Sequence, residues 1–93
     1  MDLHRIEQTE RMNNMEQVKK LKAKISGRLY KDLADGYIDE SLNREISRLC
    51  RELTDEEHAK EWDDYRINAA LKRCHYIDLT LYKAVKDFIK AVR

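Results

Sequence analysis

Between Ile67 and Ala91 the chain returns to an apolar side chain every third or fourth position: Ile67, Ala70, Cys74, Ile77, Leu81, Ala84, Phe88 and Ala91. Steps of three and four straddle the 3.6-residue turn of an α-helix, so all of these side chains fall on one stripe. The stripe persists for more than three heptads, and Leu71, Val85 and Val92 widen it. A widened stripe suits a helix buried in a bundle better than one strand of a simple two-stranded coil. The unbroken register predicts a single helix over 54–92, about 58 Å long at 1.5 Å per residue. The segment "CHYIDLTLY", with its β-branched residues and Asp78, marks the one place where a kink at Tyr76–Thr80 would fit.

Two shorter helices are expected before it. Met12, Met15, Val18, Leu21, Ile25, Leu29 and Leu33 define one face of a helix over 12–34, with a start near Asp2 as the alternative. Leu3 and Ile6 fit that face poorly, so residues 1–11 read as frayed or as a separate short helix. Gly36 is placed to close the first helix in a left-handed conformation, and Asp39 to cap the next. Leu42, Ile46, Leu49, Cys50 and Leu53 then give a narrow stripe over 40–53. The absence of Pro and the presence of only two Gly agree with long uninterrupted helices. Gly27, inside the first stripe, reads as a tolerated surface position.

The acidic stretch "ELTDEEHAKEWDDY" (52–65) raises the question of a metal site. Thr54 and Glu57 have the spacing of a capping box, and Asp55, Glu56 and Glu57 would meet the positive end of a helix dipole. Acids are therefore expected there for structural reasons alone. A metal set drawn from Asp55, Glu57, His58 and Glu61, with His4 or His75, lacks the repeated Glu-x-x-His pattern of helical di-iron bundles. Cys50 and Cys74 lie on apolar stripes, without the paired ligand spacing of zinc sites. No activated nucleophile, Gly-rich elbow or phosphate-cradling loop is evident, so no cofactor, no metal and no catalytic residue are expected.

The segment "LYKDLADGYIDESLNREISRL", Leu29 to Leu49, resembles a helical hairpin in the coiled-coil insertion of large serine recombinases, where a similar Leu-Tyr-x-Asp…Asp-Gly-x-Ile pattern joins two helices. The resemblance implies a hairpin of two helices. The chain has no room for the catalytic domain of that family and no Cys pairs for its zinc ribbon.

These readings combine into one all-α domain over 1–93: a helical hairpin plus one long C-terminal helix, coiled-coil-like. Part of the long seam would remain uncovered, and a second copy of the chain is the expected cover. Ile67, Cys74, Ile77, Leu81, Val85 and Phe88 are the expected self-association residues. The expected function is that of a small non-enzymatic interaction protein, a regulator, adaptor or inhibitor of a macromolecular partner, of a size common in phage and mobile elements. Trp62 and Tyr65 form a second apolar patch and are the expected partner-binding residues. The alternative is a nucleic-acid-binding protein. Lys20, Lys24, Arg28 and Lys31 line one face of the first helix, and Arg44, Arg48 and Arg51 one face of the second. Such ridges suit phosphate contacts, with Tyr30 and Tyr37 near enough to stack on bases. The net charge of +1 makes any electrostatic role a matter of local distribution. No run has membrane-spanning length, and two Cys without a signal-like start point to a reducing, cytoplasmic setting.

Overall fold

The computed structural model describes residues 3–93, with side chains described from Met15 onward. Four helices follow one another: α1 (Leu3–Ala34), α2 (Glu40–Glu52), α3 (Asp64–Ile77) and α4 (Leu79–Val92), with a single 3-10 turn at Ala59–Glu61 before α3. There is no strand among the described residues. Helix α1 is continuous from Leu3, which agrees with a start near Asp2 and not with a separate short N-terminal helix. The surroundings of Leu3, Ile6 and Met12 lie outside the described side chains.

Each helix runs antiparallel to its sequence neighbours, and α4 closes the ring against α1. At one end Arg28 of α1 meets Asp78 at the α3–α4 corner, and Arg73 of α3 meets Glu45 of α2. At the other end Arg93 reaches Asp64 and the Trp62 carbonyl, while Met15 and Val18 share a groove with Ala91 and Val92. The result is an up-down-up-down four-helix bundle.

Its core lies between the four apolar faces. Ile25 and Leu29 come from α1, Leu42, Ile46, Leu49 and Cys50 from α2, Ile67, Ala70 and Cys74 from α3, and Leu81, Ala84, Val85 and Phe88 from α4. Trp62, Ile38 and Leu53 enter from the connections.

Aspartates decide where three of the helices start. Asp39 accepts a hydrogen bond from Leu42 N at 2.8 Å, Asp63 from Arg66 N at 2.8 Å, and Asp78 from Thr80 N at 2.9 Å and Leu81 N at 3.4 Å. Each satisfies N–H groups that a helix start leaves open. The end of α1 follows the expected pattern. Gly36 takes φ +80°, Tyr37 N donates to Asp32 O at 2.8 Å, and Gly36 N to Leu33 O at 3.2 Å, a complete Schellman closure. Gly27 is exposed, and a Cβ there would meet nothing within 4 Å.

The long C-terminal helix is the main correction. Residues 53–63 are not its first turns. Thr54 Oγ1 donates back to Arg51 O at 2.9 Å and caps nothing, while the Asp55 carboxylate accepts from Glu57 N at 3.0 Å. The chain turns there so that Trp62 can enter the core, and it is fully buried. A second break falls at Asp78, with φ −152° and ψ 109°. Bending there costs about one turn of helical hydrogen bonds, which the Asp78 cap partly replaces. In return the two halves of the seam pack against each other. The uncovered seam expected from a straight helix does not arise.

Candidate functional site

The heptad pattern assigns the seam residues to self-association, and the bundle uses them differently. Ile67, Cys74, Leu81, Val85 and Phe88 are buried in the chain's own core, and only Ile77, 41% exposed at the end of α3, faces outward. A second copy could reach this seam only if the bundle opened. Burial also sets the two thiols apart from nucleophilic chemistry: desolvation pushes Cys50 up to about 11 and Cys74 up to about 12. Both thus stay protonated at neutral pH.

The Trp62 and Tyr65 patch separates in the same way. Tyr65 is 84% exposed on the first turn of α3, whereas Trp62 lies beneath the surface with the Arg66 guanidinium 4.0 Å over its ring. Trp62 is therefore a core residue. It also forms a hydrophobic staple, since it immediately precedes the Asp63 cap and is matched by buried Ile67 in the first turn of α3.

The acidic stretch resolves into local pairs. Asp55 Oδ2 lies 2.8 Å from His58 Nδ1. That hydrogen bond raises the His58 pKa and lowers the Asp55 pKa, though both side chains are about half exposed. Among the described residues no group of three or more His, Cys, Asp or Glu is placed to hold a metal ion. His4 lies outside the described side chains.

The basic ridges are altered at one position. Lys20, Lys24 and Lys31 are exposed, but Arg28 turns inward. Its Nε hydrogen-bonds to Asp78 and lies 3.4 Å from Asp32. This cluster ties α1 to the α3–α4 corner. It is hidden in the sequence, because Asp32 looks like an ordinary charge on a helix surface. Asp32 is 1% exposed and shares the inward face with Ile25 and Leu29. As a carboxylate its Oδ2 has no donor; protonated, it donates to Asp78. Burial pushes Asp32 up to about 6, helped by that hydrogen bond and by the Asp78 charge. Burial alone would also raise Asp78, but hydrogen bonds from Asp32, Arg28 and the Thr80 and Leu81 amides outweigh it, and Asp78 falls to about 2.

The two shifts act in opposite pH ranges. The raised Asp32 contributes stability that is complete below about pH 4 and disappears as pH rises through 6. The lowered Asp78 contributes stability that is present above about pH 4 and disappears as pH falls toward 2. Stability should therefore peak near pH 4–5 for this cluster. Asp32→Asn keeps the shape and a donor while removing the charge. It should raise unfolding free energy at pH 7.5 by up to about 3 kcal/mol, the order expected for a two-unit shift, and flatten the slope between pH 4 and 7. Thermal melts across that range check it; an unchanged slope would show that Asp32 titrates normally.

Two grooves stand out on the surface. The larger, about 660 Å³, is at the end where α1, the α2 terminus and the α4 terminus meet, and its apolar lining is Met15, Val18, Leu53, Ala59, Ala91 and Val92. Lys19 and Lys22 rim it on α1, with Thr54 and Glu56 opposite. Met15 is 64% exposed within it. The smaller, about 390 Å³, runs between α2 and α3 and is lined by Ser41, Arg44, Glu45, Arg48 and Arg66. Of these, Arg44 and Arg48 belong to the ridge expected from sequence. Arg66 escapes a reading of the sequence because it lies on a different helix and joins them only in the bundle. Arg51 is exposed further along α2.

No described helix is long and apolar enough to cross a membrane. No protein-family model matches the chain, and no curated protein or solved structure matches it either.

Proposed function

We propose that this chain is a small helical interaction module, a regulator, adaptor or inhibitor that takes an apolar segment of a partner protein into the groove between α1, α2 and α4. The observation that carries this reading is the groove's lining: six apolar residues around about 660 Å³, open among the described residues. An exposed, concave apolar surface is a recurrent mark of a docking site. Lys19 and Lys22 on its rim favour a segment with acidic residues beside its apolar anchors. The expected partner-binding residues move accordingly from Trp62 to Met15, Val18 and Val92. Tyr65 remains an exposed aromatic outside this groove.

The test is a peptide-library selection against the wild-type chain. Selected binders should carry apolar anchors flanked by Asp or Glu. Met15→Glu changes an exposed side chain, so it should alter stability by no more than about 0.5 kcal/mol. It should nevertheless weaken those binders by at least about tenfold, since a buried apolar anchor is worth about 1–2 kcal/mol or more. Binders that hold Met15→Glu as tightly as wild type would place the site elsewhere.

A further inference from the structure

We propose that the arginine-lined groove between α2 and α3 is a second binding surface, which holds the phosphate backbone of a nucleic-acid strand without reading its sequence.

The charges in the groove are unevenly committed. Glu45, its one acid, is already engaged by Arg73, which approaches from α3. Arg44 is paired with Glu40 at 3.0 Å in a pair that is mostly exposed, so it exchanges readily for another anion. Arg48 and Arg66 have no carboxylate within 4 Å among the described residues. Two guanidinium groups on facing helices, with the Ser41 hydroxyl in the same lining, therefore remain available to an anion.

Arg66 is also placed in advance. Its guanidinium rests 4.0 Å over the Trp62 ring, and Trp62 is fixed in the core. A stacked guanidinium gives up less side-chain freedom on binding than a free one. Arginine offers a planar fork of donors that matches phosphate oxygens in pairs.

The extent of the surface argues for a polymer. Arg44, Arg48 and Arg51 recur at intervals of four and three on the outer face of α2. Seven residues of helix span about 10 Å, roughly three phosphate-to-phosphate steps of about 3.4 Å along one strand of a duplex. A lone phosphate would leave most of this ridge idle. The lining contains no apolar anchor of the kind that centres a protein interface, which favours a nucleic-acid backbone over a second protein. Contacts from arginine to phosphate carry no sequence information, so binding through this backbone should be independent of sequence.

The experiment is fluorescence anisotropy with labelled single strands of DNA and RNA and a labelled duplex, each about 20 nucleotides long, from about 25 to 200 mM NaCl. Wild type should bind at the lowest salt, and log K should fall against log salt with a slope of about −2 to −4, the value for three or four phosphate contacts. Arg48→Glu/Arg66→Glu should lose at least about tenfold in affinity, while Lys83→Glu/Lys86→Glu on α4 stays within about twofold. Because Arg66 packs on Trp62, the single exposed change Arg48→Gln serves as a second variant and should lose about threefold and reduce the slope by nearly one. Trp62 is the only Trp, and its emission should change saturably as the strand engages Arg66. Absence of binding at low salt would overturn the proposal, as would equal losses in the α2–α3 and α4 variants. Complete displacement by millimolar inorganic phosphate at constant ionic strength would overturn the polymer reading.

Discussion

Leu81→Asp should unfold the protein, with loss of far-UV helicity. Leu81 is fully buried on α4, in the core with Ala84, Val85 and Phe88. An aspartate there either carries a charge into an apolar interior or takes up a proton to avoid it, and either choice costs several kcal/mol. A lost Leu side chain adds its own cost of about 2–5 kcal/mol. Their combination, about 4 kcal/mol or more, is comparable with the whole stability of a domain this size. Circular dichroism with light scattering after size exclusion distinguishes the two uses of the seam. A seam buried within the chain predicts an unfolded or aggregating variant. A smaller species that keeps its helicity would mean that Leu81 faces a second subunit, as the heptad pattern alone suggests.

Trp62→Ala should cost about 3–5 kcal/mol, and Trp62→Phe only about 1–2 kcal/mol. The difference follows from how the indole is held. The ring is fully buried and its Nε1–H has no partner, so most of its contribution comes from shape and apolar area. Phenylalanine keeps much of that area and removes an unsatisfied buried donor, whose cost of about 1–3 kcal/mol offsets some of the lost volume. Alanine leaves a cavity beneath Arg66 and removes the staple against Ile67. Urea denaturation of the two variants measures both values. A Phe variant as unstable as the Ala variant would show that the indole N–H makes a hydrogen bond that matters.

Much of the fold is legible in the order of the residues alone. The hydrophobic period places α1 and α2, Gly36 and Asp39 mark their junction, and the all-α class follows from composition and pattern. The break at Asp78 is only half legible: its place falls in the Tyr76–Thr80 segment where a kink would fit, but whether the chain bends there is not readable, because Ile77 and Leu81 are four residues apart whether the helix is straight or bent. A cap at Asp78 leaves the apolar period in register, so the pattern fits both a single helix and an antiparallel pair. The start of α3 is ambiguous for a related reason. Two capping signals compete within ten residues: Thr54-x-x-Glu57, and Asp63 with its flanking Trp62 and Ile67. Only the second allows the Trp to be buried.

The candidate sites divide along the same line. Arg44, Arg48 and Arg51 are legible as a ridge, since residues three and four apart on one helix are neighbours wherever that helix packs. Arg66 beside Arg44 and Arg48, Arg73 beside Glu45, and Asp78 beside the α1 pair Arg28 and Asp32 all require the bundle, because each of these meetings crosses between elements.

Which faces are apolar, which aspartates can start a helix and where a left-handed turn closes one are all readable along the chain, since these depend on side chains within a few residues of each other. Which capping signal is used, that the long seam folds on itself, and which charges become neighbours are settled only when the four helices pack. Those outcomes depend on burying the largest apolar area across four helices at once, and no local stretch of sequence contains that competition.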